Sequence, residues 1–162
     1  MAKKKKGKLK LNSMRVLEAA DVPYEVFTYP PGHHSALEVA ELAGVPPAQV
    51  YKTLVVQREH AKPLLVMIAG DRQLNLKRLA AAVGEKKLTM ASHHEAEQLT
   101  GLKVGGISAL ALLNRGFDVF LDREAAQQSH IYVSAGRRGV NLRLPVKDLL
   151  RVTGARLVDA VD

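Results

Sequence analysis

Apolar positions along the chain change their spacing several times, and each change marks an element. From Ser13 to about Ala20, residues Val16, Leu17 and Ala20 share one side of a helix that Ser13 is placed to cap. Val22-Pro23 breaks it, and Tyr24 to Tyr29 alternates with aromatic and β-branched residues, as a strand does. Pro30-Pro31-Gly32 is a loop. Ser35 followed by Glu38 has capping-box spacing and opens a helix that stops near Gly44. Val50 to Val56 and Leu64 to Ala69 read as strands joined by a polar connection of hairpin length. Asn75 caps a helix with Leu76, Leu79, Ala80 and Val83 on one face, ended by Gly84. Lys87 to Met90 reads as a short strand, and Ser92 with Glu95 repeats the capping box for a helix reaching about Leu99. Val104 to Ser108 is a glycine-containing loop. Phe117 to Leu121, Ile131 to Ser134 and Val140 to Leu144 read as strands, the last two joined by the turn Gly136-Arg137-Arg138-Gly139. Pro145 starts a final helix through Leu150. Helices and strands are interspersed and several strands are joined by hairpin-length loops. That pattern predicts a mixed α/β or α+β single domain over residues 12–162, not a doubly wound parallel sheet.

The 162-residue length suits one domain with a sizeable core. The net charge of +8 is concentrated at one end, because Lys3, Lys4, Lys5, Lys6, Lys8 and Lys10 all fall in the first ten residues with no acid among them. Residues 1–11 are expected to form a disordered basic tail, either drawn to phosphate backbones without reading sequence or serving solubility alone. No apolar run is long enough to span a membrane, and no apolar stretch follows the lysines as in a secretory leader, so a cytoplasmic protein is expected. Cysteine is absent, which excludes disulfides, thiolate metal sites and a cysteine nucleophile.

Within this frame Lys52 carries the most information. It shares a strand face with Val50, Leu54 and Val56, where a lysine must snorkel, pair, line a pocket or guard a sheet edge. A pocket lysine would hold a phosphate or polarise a carbonyl. Gly105-Gly106 either makes a simple turn or brings backbone amides close to a ligand. Arg137 and Arg138 either clamp phosphates or decorate a solvated hairpin tip. The histidines, in the pairs His33-His34 and His93-His94 with His60 and His130 alone, lack metal-ligand spacing, and no metal or organic cofactor is expected. No Gly-x-Ser-x-Gly elbow is present, which disfavours an ordinary serine hydrolase.

Three segments in order resemble the YbaK family of aminoacyl-tRNA deacylases, which is related to the editing domain of bacterial prolyl-tRNA synthetases. They are Val50-Tyr51-Lys52-Thr53-Leu54-Val55-Val56, then Thr100-Gly101 with Gly105-Gly106-Ile107-Ser108, then Ile131 to Gly139. The resemblance runs from about Ser13 to the C-terminus. It implies a compact domain with a mixed, mostly antiparallel curved sheet and flanking helices. It also implies hydrolysis of the ester on mischarged tRNA, with cysteinyl-tRNA(Pro) as the leading substrate, alanyl-tRNA(Pro) as an alternative, and prolyl-tRNA synthetase as a further partner. A catalytically silent tRNA- or synthetase-binding module is the reading from another class. By the same resemblance Lys52 takes the place of the family's essential lysine. Gly105 and Gly106 supply amides to the aminoacyl group, with Ile107 and Ser108 beside them, and Ser35, Thr53 and Asn141 fall at substrate-binding positions. In the cysteine-specific members the substrate's own thiol is thought to attack its carbonyl, which would explain a chain without a nucleophile. Two departures stand out: Ala109 replaces the family's proline, and Asn141 replaces an aspartate, keeping an acceptor but losing the charge.

Overall fold

The run Leu64–Ala69 is apolar at every position because both faces of its strand are covered. In the computed structural model, which describes residues 9–32 and 34–162, all six of these residues are buried. A strand covered on both sides needs a continuous apolar run instead of an alternating one. The elements are α1 (Asn12–Ala19), β1 (Glu25–Thr28), α2 (Ala36–Ala43), β2 (Tyr51–Gln57), β3 (Leu64–Ala69), α3 (Leu76–Val83), β4 (Thr89–Met90), α4 (His93–Thr100), β5 (Asp118–Asp122), β6 (His130–Arg137), β7 (Val140–Pro145), α5 (Val146–Thr153) and β8 (Arg156–Val158). Their order gives a five-stranded sheet, β4-β2-β3-β5-β8, and a three-stranded sheet, β1-β7-β6. Most neighbours are antiparallel; β3-β5 and β5-β8 are parallel.

The two sheets face each other across the main core. Tyr51, Val55, Leu65, Met67 and Leu121 meet Ile131, Val133, Leu142 and Leu144 there, with Met14 and Leu17 of α1 and Leu149 of α5 closing its sides. On the other face of the large sheet, Val56, Leu64, Val66, Ile68 and Phe120 pack against Leu79 and Ala80 of α3. Each Val, Leu, Ile, Met or Phe side chain among them, fully buried, contributes about 1.5–3 kcal/mol. The sheets also touch directly where Val50 bridges Tyr132. That seam fixes the start of β2 against β6.

The mixed single domain and the order of its larger elements match expectation, and both capping boxes form, Ser35 with Glu38 and Ser92 with Glu95. Several expectations are corrected. Ser13 does not cap α1, which starts after Leu11; its buried hydroxyl instead donates to the Ala135 carbonyl at 2.6 Å, tying α1 to β6. The expected tail reaches too far: residues 1–8 lie outside the described residues, but Leu9 and Leu11 pack against the core and Lys10 pairs with Glu18 at 2.6 Å. The expected strand at 87–90 shrinks to Thr89–Met90, α5 runs on to Thr153, and β8 was not foreseen. At three residues β8 is too short to carry an alternation.

Replacing Ser13 with alanine leaves the Ala135 carbonyl without its buried donor. We expect Ser13→Ala to lower the unfolding free energy by about 1–2 kcal/mol, read as a shift in the urea midpoint at unchanged slope.

Candidate active site

A cavity of about 580 Å³ opens between β2, the N-terminus of α2, the turn after β3 and the loop after α4. Of the residues singled out in the sequence, Ser35, Lys52, Thr53, Gly105, Ile107 and Asn141 line it; Gly106, Ser108, Arg137 and Arg138 do not. Lys52 and Thr53 are consecutive, yet both reach it. Only Val56 and Gln57 of β2 pair with β4, so the earlier part of the strand is left uncovered beside the cavity. Lys52 is thus a cavity-wall residue: β2 lies between β4 and β3 in the sheet order, but at Lys52 only β3 is paired and the side chain lines the cavity.

The Lys52 side chain is half-buried, with its ammonium 3.4 Å from the Gly70 carbonyl. Burial pulls its pKa below the ordinary lysine value, and the nearby Asp71 carboxylate opposes that shift. Gly70 sits where two segments converge. Its N–H donates to the Val50 carbonyl at 2.7 Å, and a Cβ built there would stand 2.8 Å from the Cβ of Ala36. Only a residue without a side chain lets α2 approach this closely.

Thr53 Oγ1 is buried and has no hydrogen-bond partner, a condition rare enough to point to a ligand group it would serve. Ser35 accepts from the Glu38 N–H at 3.2 Å, so its hydroxyl oxygen is committed to the cap of α2. Asn141 belongs to the more polar face of β7 by alternation, but that face is a cavity wall and not solvent, and Asn141 is only 5% exposed. Its Oδ1 accepts from the Tyr29 hydroxyl at 3.3 Å, and burial raises the pKa of that phenol and so keeps it a donor.

The glycine loop differs from expectation in which amides it offers. The Gly106 N–H donates to Lys103 at 2.7 Å and closes the turn itself. Val104 donates its N–H to Glu97 at 2.9 Å and accepts from Arg138 Nε at 2.7 Å, so the two peptide groups flanking its Cα are pinned, one by a carboxylate and the next by a guanidinium. Gly105 and Ile107, which line the cavity, donate no backbone hydrogen bond within the described residues. The available donors are therefore Gly105 and Ile107, not the Gly105-Gly106 pair. Ser108 is 1% exposed, and its hydroxyl accepts from the Ala111 N–H at 3.2 Å, away from the cavity. Arg138, read from the sequence as either a phosphate clamp or part of a solvated hairpin tip, braces the loop, while Arg137 is exposed at that tip.

The sequence pointed to none of Tyr29, His34, Ser134 and Asp71, all of which line the cavity. Ser134 lies opposite Asn141 in the β6-β7 register, so pairing the two strands by their turn would have brought it in. Asp71 follows a strand end with no local signal. Among the described residues no group of three or more His, Cys, Asp or Glu side chains is arranged to hold a metal ion, and no helix is long and apolar enough to cross a membrane.

A cavity built around a half-buried lysine, an unpartnered hydroxyl and free backbone amides is suited to holding an ester and the oxyanion it forms. The aminoacyl-tRNA editing domain model matches residues 30–152, and the chain belongs to that family. Over 158 residues it is 37% identical to EbsC of Enterococcus faecalis, which is described as a candidate Cys-tRNA(Pro)/Cys-tRNA(Cys) deacylase; the match covers 96% of each chain. It is 31% identical over 112 residues to the proline–tRNA ligase of Pelotomaculum thermopropionicum, covering 69% of this chain and 19% of the ligase. The fold superposes on a crystal structure described as a candidate trans-editing enzyme for prolyl-tRNA synthetase with a TM-score of 0.80 and 26% identity, over 95% of this chain and 99% of that one.

The loop geometry yields a stability prediction. A Cβ on Gly106 would lie 2.9 Å from the Arg138 backbone nitrogen and 3.0 Å from the Arg137 carbonyl carbon, neither of which is a flexible side-chain end. Gly106→Ala is expected to lower stability by about 1–3 kcal/mol, and hydrogen exchange should show faster opening at Val104 and Arg138.

Proposed function

We propose that this protein is a free-standing editing deacylase that removes cysteine from tRNA(Pro). The observation that carries the reading is the half-buried Lys52 ammonium in a cavity that also holds the unpartnered Thr53 hydroxyl and the amides of Gly105 and Ile107. The family membership and the likeness to EbsC support the same reaction class.

The cavity hydroxyls make poor nucleophiles. Ser35 accepts from the Glu38 amide and Ser134 from the Gly136 amide, so both hydroxyl oxygens are engaged in local turns. The chain also contains no cysteine. The attacking group then comes from the substrate. Its thiol gives up a proton and adds to the ester carbonyl, forming a tetrahedral oxyanion. Collapse breaks the bond to the ribose oxygen, which takes the proton and leaves as free tRNA. The amino acid leaves as a cyclic thiolactone that water then opens. In this scheme Lys52 holds the tRNA terminus and the developing negative charge, and the Gly105 and Ile107 amides share that charge. Thr53 donates its hydroxyl to the bound ester. Such preorganised donors act without rearranging during the reaction. Tyr29 and Asn141 close the far wall around the side chain. Alanyl-tRNA(Pro) is the competing substrate, because the Asn141 substitution alters the wall that would read the amino acid; without a thiol its ester carbonyl is attacked by a water, which yields free alanine and the tRNA hydroxyl.

Lys52→Ala should abolish deacylation of cysteinyl-tRNA(Pro) while the thermal midpoint holds or rises, since a half-buried charge is removed. A fully active variant would overturn the assignment. In the unaltered protein, the enzymatic rate above background should fall on the alkaline side at a pH below the ordinary lysine range, as Lys52 loses its proton. The sign for folding is opposite: burial favours neutral Lys52, so deprotonation relieves a penalty present at lower pH. Activity should therefore be lost there without unfolding, which circular dichroism over the same pH range checks.

The basic N-terminal segment gives a further prediction. Deleting residues 1–8 should weaken tRNA binding and reduce the slope of log affinity against log salt, with little effect on hydrolysis at saturating tRNA.

A further inference from the structure

The cavity carries a second charged group that the reaction scheme leaves unused. Two carboxylates line it, Glu38 and Asp71. Glu38 is committed, accepting from the Ser35 backbone N–H at 2.8 Å in the cap of α2. Asp71 makes no hydrogen bond or ion pair among the described residues, although its charge is felt at Lys52. Its neighbour Arg72 is already neutralised by two hydrogen bonds to Glu124, one of them at 3.1 Å. At position 141, on the opposite wall, the side chain is a neutral amide. The free negative charge of the cavity is therefore Asp71, at the same turn whose Gly70 carbonyl faces Lys52.

An aminoacyl ester brings one cation of its own, the α-ammonium group, a substantial fraction of which is present near neutral pH. That cation lies two bonds from the carbonyl carbon, so seating the carbonyl by Lys52 puts two positive charges close together. We propose that Asp71 binds the α-ammonium group of the aminoacyl ester, so that the site selects amino acids with a free amine and offsets the repulsion from Lys52. This assignment rests on the deacylase reading. It makes Asp71 a specificity residue that touches substrate. Because Asp71 is exposed on its outer side, the effect of removing its charge is moderate.

The test uses the full chain with cysteinyl-tRNA(Pro) and alanyl-tRNA(Pro), each with a free and an N-acetylated amine. Acetylation removes the charge and keeps the ester. Asp71→Asn should lower kcat/KM on the free-amine ester roughly tenfold, mainly through KM, and change the N-acetyl ester by less than about twofold. Asp71→Lys should reverse the preference of the unaltered protein for the free amine. An equal loss on free and acetylated esters would overturn the proposal, since an Asp71 acting only through the charge state of Lys52 affects both alike. No change on either ester would overturn it as well. If the unaltered protein cleaves none of the four esters, the deacylase reading itself falls and takes the Asp71 assignment with it. Unchanged thermal midpoints for both variants separate these outcomes from misfolding.

Discussion

A lysine keeps half of its length out of water only where the backbone around it is already fixed, and here the pairing of β2 with β3 does the fixing. Lys52 lies opposite Ile68, and β3 is immobilised by apolar packing on both faces. The ammonium is delivered to the end of that strand, where the Gly70 carbonyl meets it. The remaining walls are placed relative to this pair. The Val50–Tyr132 bridge docks the small sheet, bringing Ser134 and Asn141 across, and the close contact of Ala36 with Gly70 brings in the N-terminus of α2. The arrangement of the cavity walls is thus a consequence of sheet packing more than of any loop.

Much of this was legible in the sequence, for reasons that differ by element. The capped helices were readable because a capping box is local: Ser35 with Glu38 and Ser92 with Glu95 each settle a boundary within four residues. Strand β3 was readable as a continuous apolar run, and Lys52 stood out because it interrupts an apolar face. Ser13 was misread because one hydroxyl suits both a cap and a long-range bond, and its true partner, Ala135, is 122 residues away. The same distance effect hid Asp71 and the role of Arg138. Its guanidinium meets the Val104 carbonyl only when the β6-β7 turn folds over the loop after α4. The resemblance pointed to Ser35, Lys52, Thr53, Gly105, Ile107 and Asn141, which line the cavity, and to Gly106 and Ser108, which do not, and it did not say which amides of the loop remain free.

The cavity also shows how one fold holds a cation and an anion apart inside a single pocket. Lys52 is screened from solvent by burial, whereas Asp71 sits at the rim with its outer side in water. Other charged groups at or near the cavity are engaged locally: Glu38 in a helix cap, Arg72 with Glu124, and Glu97 and Arg138 on the two peptide groups flanking Val104. Each of these local bonds has a structural purpose, and together they leave two charges unneutralised where a substrate would lie.

The bare Cα of Gly70 has an implication for how this site can change over time. Any side chain there would strike Ala36, whose helix begins at Ser35, so a mutation at 70 moves the cavity wall, the helix start and the carbonyl facing Lys52 together. Drift at this position is therefore all-or-none, while neighbouring wall positions such as 141 are free to be retuned one at a time. Divergence of substrate preference on this scaffold should travel through the far wall, with the turn after β3 held as a fixed datum.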